Sequence, residues 1–193
     1  MSGLRERRKT ETRQLLQRQA IRLFQRDGYD ATTMNAIAEA AGVSAMTVYR
    51  HFPTKEDLVI WDEYTSISIQ ALLNSPADDP LARRIGQAVI ETLTAATTDH
   101  RALLLARLQL MVDVPALRAR HLDNQYATQD AIVSALCGDD PDPDQEFRTR
   151  AISGACLGAT HIALVHWARS DGKQDLPTLI REALAATFPA DFA

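Results

Sequence analysis

Apolar residues in this chain recur at steps of three and four along most of its length, and nowhere do they alternate with period two over a useful run. Such a pattern can bury one face of a helix but offers no strand whose alternate side chains would line a core, so it points to an all-α fold. Alanine and leucine dominate the 46% hydrophobic share while aromatic residues reach only 6%, which also favours helix over strand. At 193 residues, a single compact unit and a small domain fused to a larger one are both open.

Glycine, proline and capping residues divide the pattern. Leu16, Ala20, Leu23 and Phe24 predict a helix over residues 10–27 that Gly28 stops. Thr32 or Thr33 caps a second, short helix whose apolar positions Met34, Ile37, Ala38 and Ala41 fall at i, i+3, i+4 and i+7. Gly42 permits a tight corner, Val43 anchors it, and Ser44 caps a third helix that can run only to about Phe52, because Pro53 disfavours helical geometry before it. Thr54-Lys55-Glu56-Asp57 is a capping signature, and Leu58, Ile60, Trp61 and Tyr64 predict that one fourth helix continues through them. Further helices are expected over residues 81–96, 100–113, 116–136 and 145–169, with a last one ending near Thr187.

Charge is distributed unevenly. Up to Lys55 there are ten Lys and Arg against five Asp and Glu, a balance of +5, and the rest carries eleven against twenty, a balance of -9, which together give the net -4. A basic head on an acidic body suggests that only the head faces a polyanion. Two short helices joined at a glycine corner are the outline of a helix-turn-helix, whose second helix fits a major groove about 12 Å wide.

The stretch TTMNAIAEAAGVSAMTVYRHFPTKEDL, preceded by AIRLFQRDGYDA, closely resembles the N-terminal DNA-binding domain of the TetR family of bacterial transcriptional regulators. Among the matching features are the helix ending in Phe and Gly-Tyr, the paired threonines, the Ile-Ala-x-x-Ala-Gly-Val run, the Tyr-x-x-Phe and the Lys-Glu-x-Leu start. The resemblance implies a DNA-binding domain over residues 1–54 and a larger helical ligand-binding and dimerisation domain over 55–193. It places the recognition helix over residues 44–51, with Ser44, Ala45 and Thr47 at base edges, Tyr49, His51 and Lys55 on phosphates, and Thr33 and Asn35 on backbone. Arg50 can read guanine or hold backbone, whereas Ala45 and Met46 offer no side-chain donor, so readout leans on thymine methyl contact, Thr47 and Arg50. Val43, Val48 and Phe52 are expected beneath the recognition helix. The basic tail over residues 4–9 reads equally as a mobile, solvated terminus and as an arm for phosphates or a minor groove.

For the body, the resemblance implies a homodimer whose last two helices pair as a four-helix bundle around two-fold symmetry. Ala151, Gly154, Ala155, Gly158 and Ala159 supply small residues at three- and four-residue steps for such a seam, or for packing inside one chain. Trp61, Tyr64, Leu104, Leu108, Met111, Tyr126, His161 and Trp167 are candidates for a small-molecule effector pocket, each of which also reads as core. Residues 110–129 resemble an actinobacterial branch that includes mycofactocin-associated regulators, which hints at an apolar effector; Arg107, Arg118 and Arg120 suit an anionic head group or an exposed helix face.

Other chemistries find little support. His161 and His166 do not share a face well enough for a metal pair, and the acidic run over residues 139–144 lacks the glycine and terminal glutamate of a calcium loop. Cys137 and Cys156 read as reduced packing residues, and no cofactor is called for. Without an unbroken apolar run of 18 residues or a signal sequence, a cytoplasmic protein that does not span a membrane is expected. An enzyme would need a nucleophile with its base, a metal constellation or a phosphate loop, and no such motif stands in the chain. The expectation is a ligand-responsive, DNA-binding repressor on a palindromic operator, with an activator or a protein-interaction adaptor keeping a degenerate helix-turn-helix as alternatives.

Overall fold

The computed structural model describes residues 2–61, 64–138 and 140–192; Asp139 and the side chain of Tyr64, both noted in the sequence, lie outside them. The described residues form helices and connecting turns, with no strand among them. They are α1 (Ser2–Asp27), α2 (Met34–Ala40), α3 (Ala45–His51), α4 (Lys55–Ile60), α5 (Tyr64–Asn74), α6 (Leu81–Thr94), α7 (Thr98–Asp113), α8 (Pro115–Cys137), α9 (Pro143–Arg169), α10 (Leu176–Thr187) and α11 (Pro189–Phe192). They divide into two compact units, one holding the chain up to Trp61 together with Ala102–Arg120, the other holding the remainder.

In the first unit, Leu16, Ala20, Ile21, Leu23 and Phe24 form the buried face of α1, joined by Ile37 and Ala38 of α2, Val48 of α3, Phe52, and Leu58 and Val59 of α4. The corner between α2 and α3 is a Schellman motif: the Val43 amide donates to the Ala38 carbonyl (3.0 Å) and the Gly42 amide to Glu39 (3.1 Å). Gly42 sits there at φ +67°, a left-handed conformation that a side chain would strain. This corner sets the angle at which α3 leaves α2.

Two helices depart from the expected bounds by more than two residues. α1 begins at Ser2, so residues 4–9 are helical and continuous with the core-bearing turns. The fourth helix stops at Ile60, since Trp61 turns to φ -56°, ψ 126°, and α5 starts separately at Tyr64. Polar side chains explain the stop by taking the last carbonyls. Buried Gln17 donates to the Leu58 and Trp61 carbonyls at 2.9 and 2.7 Å, and buried Arg107 donates to those of Val59 and Ile60 at 2.6 and 3.1 Å.

The second unit is built on α6, α9 and α10. Leu176, Ile180 and Leu184 of α10 are fully covered at four-residue spacing, and α9 buries Thr149, Ser153, Cys156, Ala163 and Trp167. Close approach fixes Gly86 of α6: a Cβ there would lie 2.5 Å from the Phe192 ring and 2.6 Å from Leu184. α9 is long and apolar enough to cross a membrane by length and composition, but it packs against α6 and α10. Neither cysteine is in a disulfide: the Cys137 thiol donates to the Thr149 hydroxyl and that of Cys156 to the Ala82 carbonyl, and burial pushes the Cys156 thiol up to about 12.

Candidate nucleic-acid interface

α3 has seven residues and contributes one fully buried side chain, Val48, with Phe52 just past its end. At 100° per residue, positions 46 and 50 stand nearly opposite Val48, and both are exposed; Met46 reaches 75%. Tyr49, half exposed, and Thr47, half buried, flank them, while Ala45 lies nearer the inward side. The outward ridge of α3 is therefore Met46 and Arg50. Met46 is not among the DNA contacts expected from the sequence, yet its place opposite Val48 can be read from spacing alone.

Hydroxyls organise the helix starts. The Ser44 Oγ accepts from the Thr47 amide at 3.2 Å and lies 3.0 Å from the Thr47 hydroxyl, and the Thr33 Oγ1 accepts from the Ala36 amide at 3.1 Å. The Thr33 hydroxyl can still donate outward, and Asn35 is exposed beside it.

Arg13 of α1 holds the other end of α3. Its guanidinium donates to the His51 carbonyl at 3.2 Å and lies 5.5 Å from the Phe52 ring centre and 5.6 Å from that of Trp61. Its Nε is buried without a hydrogen-bond partner, and the ring faces supply the attraction in its place. Burial, then the charges of Arg50, Arg13 and Lys9, push His51 below its ordinary value, which leaves a neutral ring offering one N–H at pH 7.

Lys55, read from the sequence as a phosphate contact, is turned onto its own chain. Its Nζ donates to the Tyr29 carbonyl at 2.7 Å and the Thr32 carbonyl at 3.3 Å and stands 4.2 Å from the centre of the Tyr29 ring. The Tyr29 hydroxyl donates to Glu56 at 2.7 Å. Burial and this neighbouring carboxylate raise the phenol, while for Glu56 the bond from Tyr29, its own amide, Thr54 and Lys55 outweigh burial and lower the carboxyl. The loop between α1 and α2 is thereby fastened to α4.

The capping signature forms as a reciprocal pair: the Thr54 amide donates to Asp57 at 3.0 Å, and the Asp57 amide to the Thr54 hydroxyl at 3.3 Å. Arg120 of α8 also donates to Asp57, at 2.9 Å. Burial would raise this carboxyl, but Arg120 and Thr54 together hold it low. Arg107, expected at an exposed helix face or an anionic head group, is instead buried on the α4 carbonyls, and Arg118 donates to the Val112 carbonyl. α4 is thus gripped by side chains from α1, α7 and α8, none of which stood out as its partners in the sequence.

The effector candidates fall into both units. Leu104, Leu108 and Met111 are buried along one face of α7, and half-buried Trp61 meets Phe52 edge-on. Tyr126 is 70% exposed; Trp167 is buried and donates its indole N–H to the Gln174 carbonyl. His161 pairs with His121, ring nitrogens 3.0 Å apart and centres 4.8 Å apart, and burial lowers its pKa.

Along α9, Ala151 and Gly158 are exposed, Ala155 and Ala159 are half buried, and a Cβ at Gly158 would meet nothing within 4 Å. Gly154 differs: a Cβ there would lie 2.6 Å from Gln129 Nε2, so this glycine accommodates its own chain. Phe147 and Ile162, 72% and 65% exposed, extend the stripe at each end and were not singled out in the sequence.

Comparison with known proteins agrees with this head. Residues 16–60 match the family described as bacterial regulatory proteins, tetR family, and residues 79–189 match the MftR C-terminal domain. The HTH-type transcriptional regulator TcmR of Streptomyces glaucescens is 30% identical over 177 residues, covering 86% of this chain and 76% of that protein. The HTH-type transcriptional repressor KstR of Rhodococcus jostii is 29% identical over 71% of this chain and 65% of its own length. In fold, Thermus thermophilus FadR, a TetR-family repressor solved with lauroyl-CoA, superposes with a TM-score of 0.53 at 21% identity over 91% of this chain and 93% of that one. With family matches to both its head and most of its body, the chain belongs to the TetR family of DNA-binding transcriptional regulators and is not an enzyme.

Proposed function

We propose that the protein is a homodimeric repressor that binds a palindromic operator and leaves it when a small, apolar effector binds the body. The observation that carries this reading is the ridge of α3, where Met46 and Arg50 stand outward with Thr47 and Tyr49 beside them over a core of Val48 and Phe52. Arg50 suits guanine and Met46 a thymine methyl, with Ser44, Ala45 and Thr47 completing the base-edge contacts. Thr33, Asn35, Tyr49 and His51 take phosphates, and Lys55 acts by positioning the loop before α2. A homodimer supplies the second recognition helix, and the exposed Phe147, Ala151, Gly158 and Ile162 of α9 suit its seam.

Regulation rests on α4. Arg107 holds its last carbonyls and Arg120 its capping carboxylate, so a shift of α7 or α8 on effector binding is passed to the head. Leu104, Leu108 and Met111, on one face of α7, offer an apolar wall, and an acyl thioester like the one bound by the Thermus relative is the class to try first. A swing from mostly bound to mostly free requires about 5 kcal/mol of preference for the DNA-incompetent state.

The test is selection from a random duplex pool at near-physiological salt, followed by titration of the recovered duplex with acyl-CoA thioesters. An inverted repeat with half-sites about 34–36 Å apart, released by an acyl chain, is the expected outcome. If no sequence is enriched and binding vanishes at modest salt, the helix-turn-helix is not a reader and the proposal fails.

A further inference from the structure

The helical start of α1 places charge where a flexible tail would not. Arg13 reaches the last carbonyl of the recognition helix, and Lys9 and Arg5 precede it at four-residue steps, so the three side chains form one slowly turning stripe. Arg5 and Lys9 are exposed, and Arg8 adds charge beside them. Glu6 approaches Lys9 only at 3.8 Å in a solvent-exposed pair of little strength, and Arg7 is the residue that Glu11 engages. Among the described residues, Arg5 has no ion-pair partner.

Distance gives the stripe its target. From Arg13 to Arg5 the helix rises about 12 Å, close to the width of a major groove. Arg13 bonds the His51 carbonyl at the end of α3 and Lys9 lies near enough to act on the same histidine electrostatically, so the stripe runs on from the end of the recognition helix.

Resting on the DNA-binding reading above, we propose that the first turns of α1 are a rigid phosphate clamp, in which Arg5 and Lys9 grip the duplex backbone flanking the half-site read by α3. Being already helical, the clamp loses less chain entropy on binding than a disordered arm. It carries no base preference and tightens specific and non-specific complexes alike.

The test compares full-length wild type, R5A/K9A and R18A/R22A on two duplexes, the inverted repeat recovered by selection and a random sequence, from about 50 to 200 mM salt. Alanine preserves the helix, and Arg18 and Arg22 are exposed α1 arginines that lie off the stripe, so the second pair controls for simple loss of charge. In R5A/K9A the log–log salt slope should become shallower by about 1.8 per bound protomer, with affinity for both duplexes reduced together and their ratio kept. R18A/R22A should keep the wild-type slope. An unchanged slope in R5A/K9A, or an equal fall in both variants, overturns the clamp while leaving the recognition helix intact. Failure of wild type to select any sequence would remove the DNA-reading proposal and the clamp with it.

Discussion

The recognition helix α3 and the body helix α9 use their surfaces in opposite ways. α3 is seven residues long and buries Val48 alone, so its position is set from outside by the Gly42 corner, the Ser44 cap and Arg13. α9 runs for 27 residues, buries a face against α6 and α10, and still exposes Phe147 and Ile162. The surface left open on α3 is mixed, with a cation and a hydroxyl beside Met46 and Tyr49, while that on α9 is apolar and small. The first suits a groove lined by base edges and phosphates, and the second suits another apolar helix. A short helix placed by its neighbours can change its surface freely, because little of the core depends on it.

That contrast can be broken experimentally. The largest effect is expected from Ile162→Glu, which puts a charge into the proposed seam and should weaken self-association by at least about 3 kcal/mol, read by sedimentation equilibrium, with thermal stability of the monomer little changed. Retained dimers would place the seam elsewhere. Arg107→Met should follow, since it strands two α4 carbonyls in the first unit; a loss of about 2–4 kcal/mol in urea unfolding is expected, and a loss below 1 kcal/mol would show that α4 does not depend on this grip. Thr54→Ala removes one side of the capping pair and should cost about 1 kcal/mol in the same assay.

The smallest effect concerns pH. His51 is held below its ordinary value in the free protein, and a phosphate beside it would raise it in the complex. Between those two values the complex binds a proton that the free protein does not, so operator affinity should rise a few-fold as pH falls from about 7.5 to 6. His51→Gln should flatten that rise; an equal rise in the variant would place His51 away from phosphate.

Much of this molecule was legible in the residues. The caps at Thr33, Ser44 and Thr54, the Gly42 corner and the helical spacing of Leu176, Ile180 and Leu184 are local features, and local features can be read without a fold. What escaped the sequence was pairing at a distance. Gln17 and Arg107 look like surface residues of amphipathic helices until both are seen on the α4 carbonyls. Nothing in the spacing around Lys55 announces its bonds to the carbonyls of Tyr29 and Thr32, 26 and 23 residues back along the chain. The stripe on α9 was half readable: its small residues follow from spacing, but that Gly154 accommodates Gln129 while Gly158 stays open depends on how α8 runs.

The central claim is that the ridge of α3 reads sequence while the residues around it hold the duplex. Met46→Ala/Arg50→Ala, measured on the selected inverted repeat and on random duplex at one stated salt concentration, tests it most directly. The account predicts that the ratio of the two affinities falls by about ten-fold or more, at roughly 1–3 kcal/mol per lost base contact, with binding to random duplex much less affected. An unchanged ratio would mean that sequence is read by some other surface.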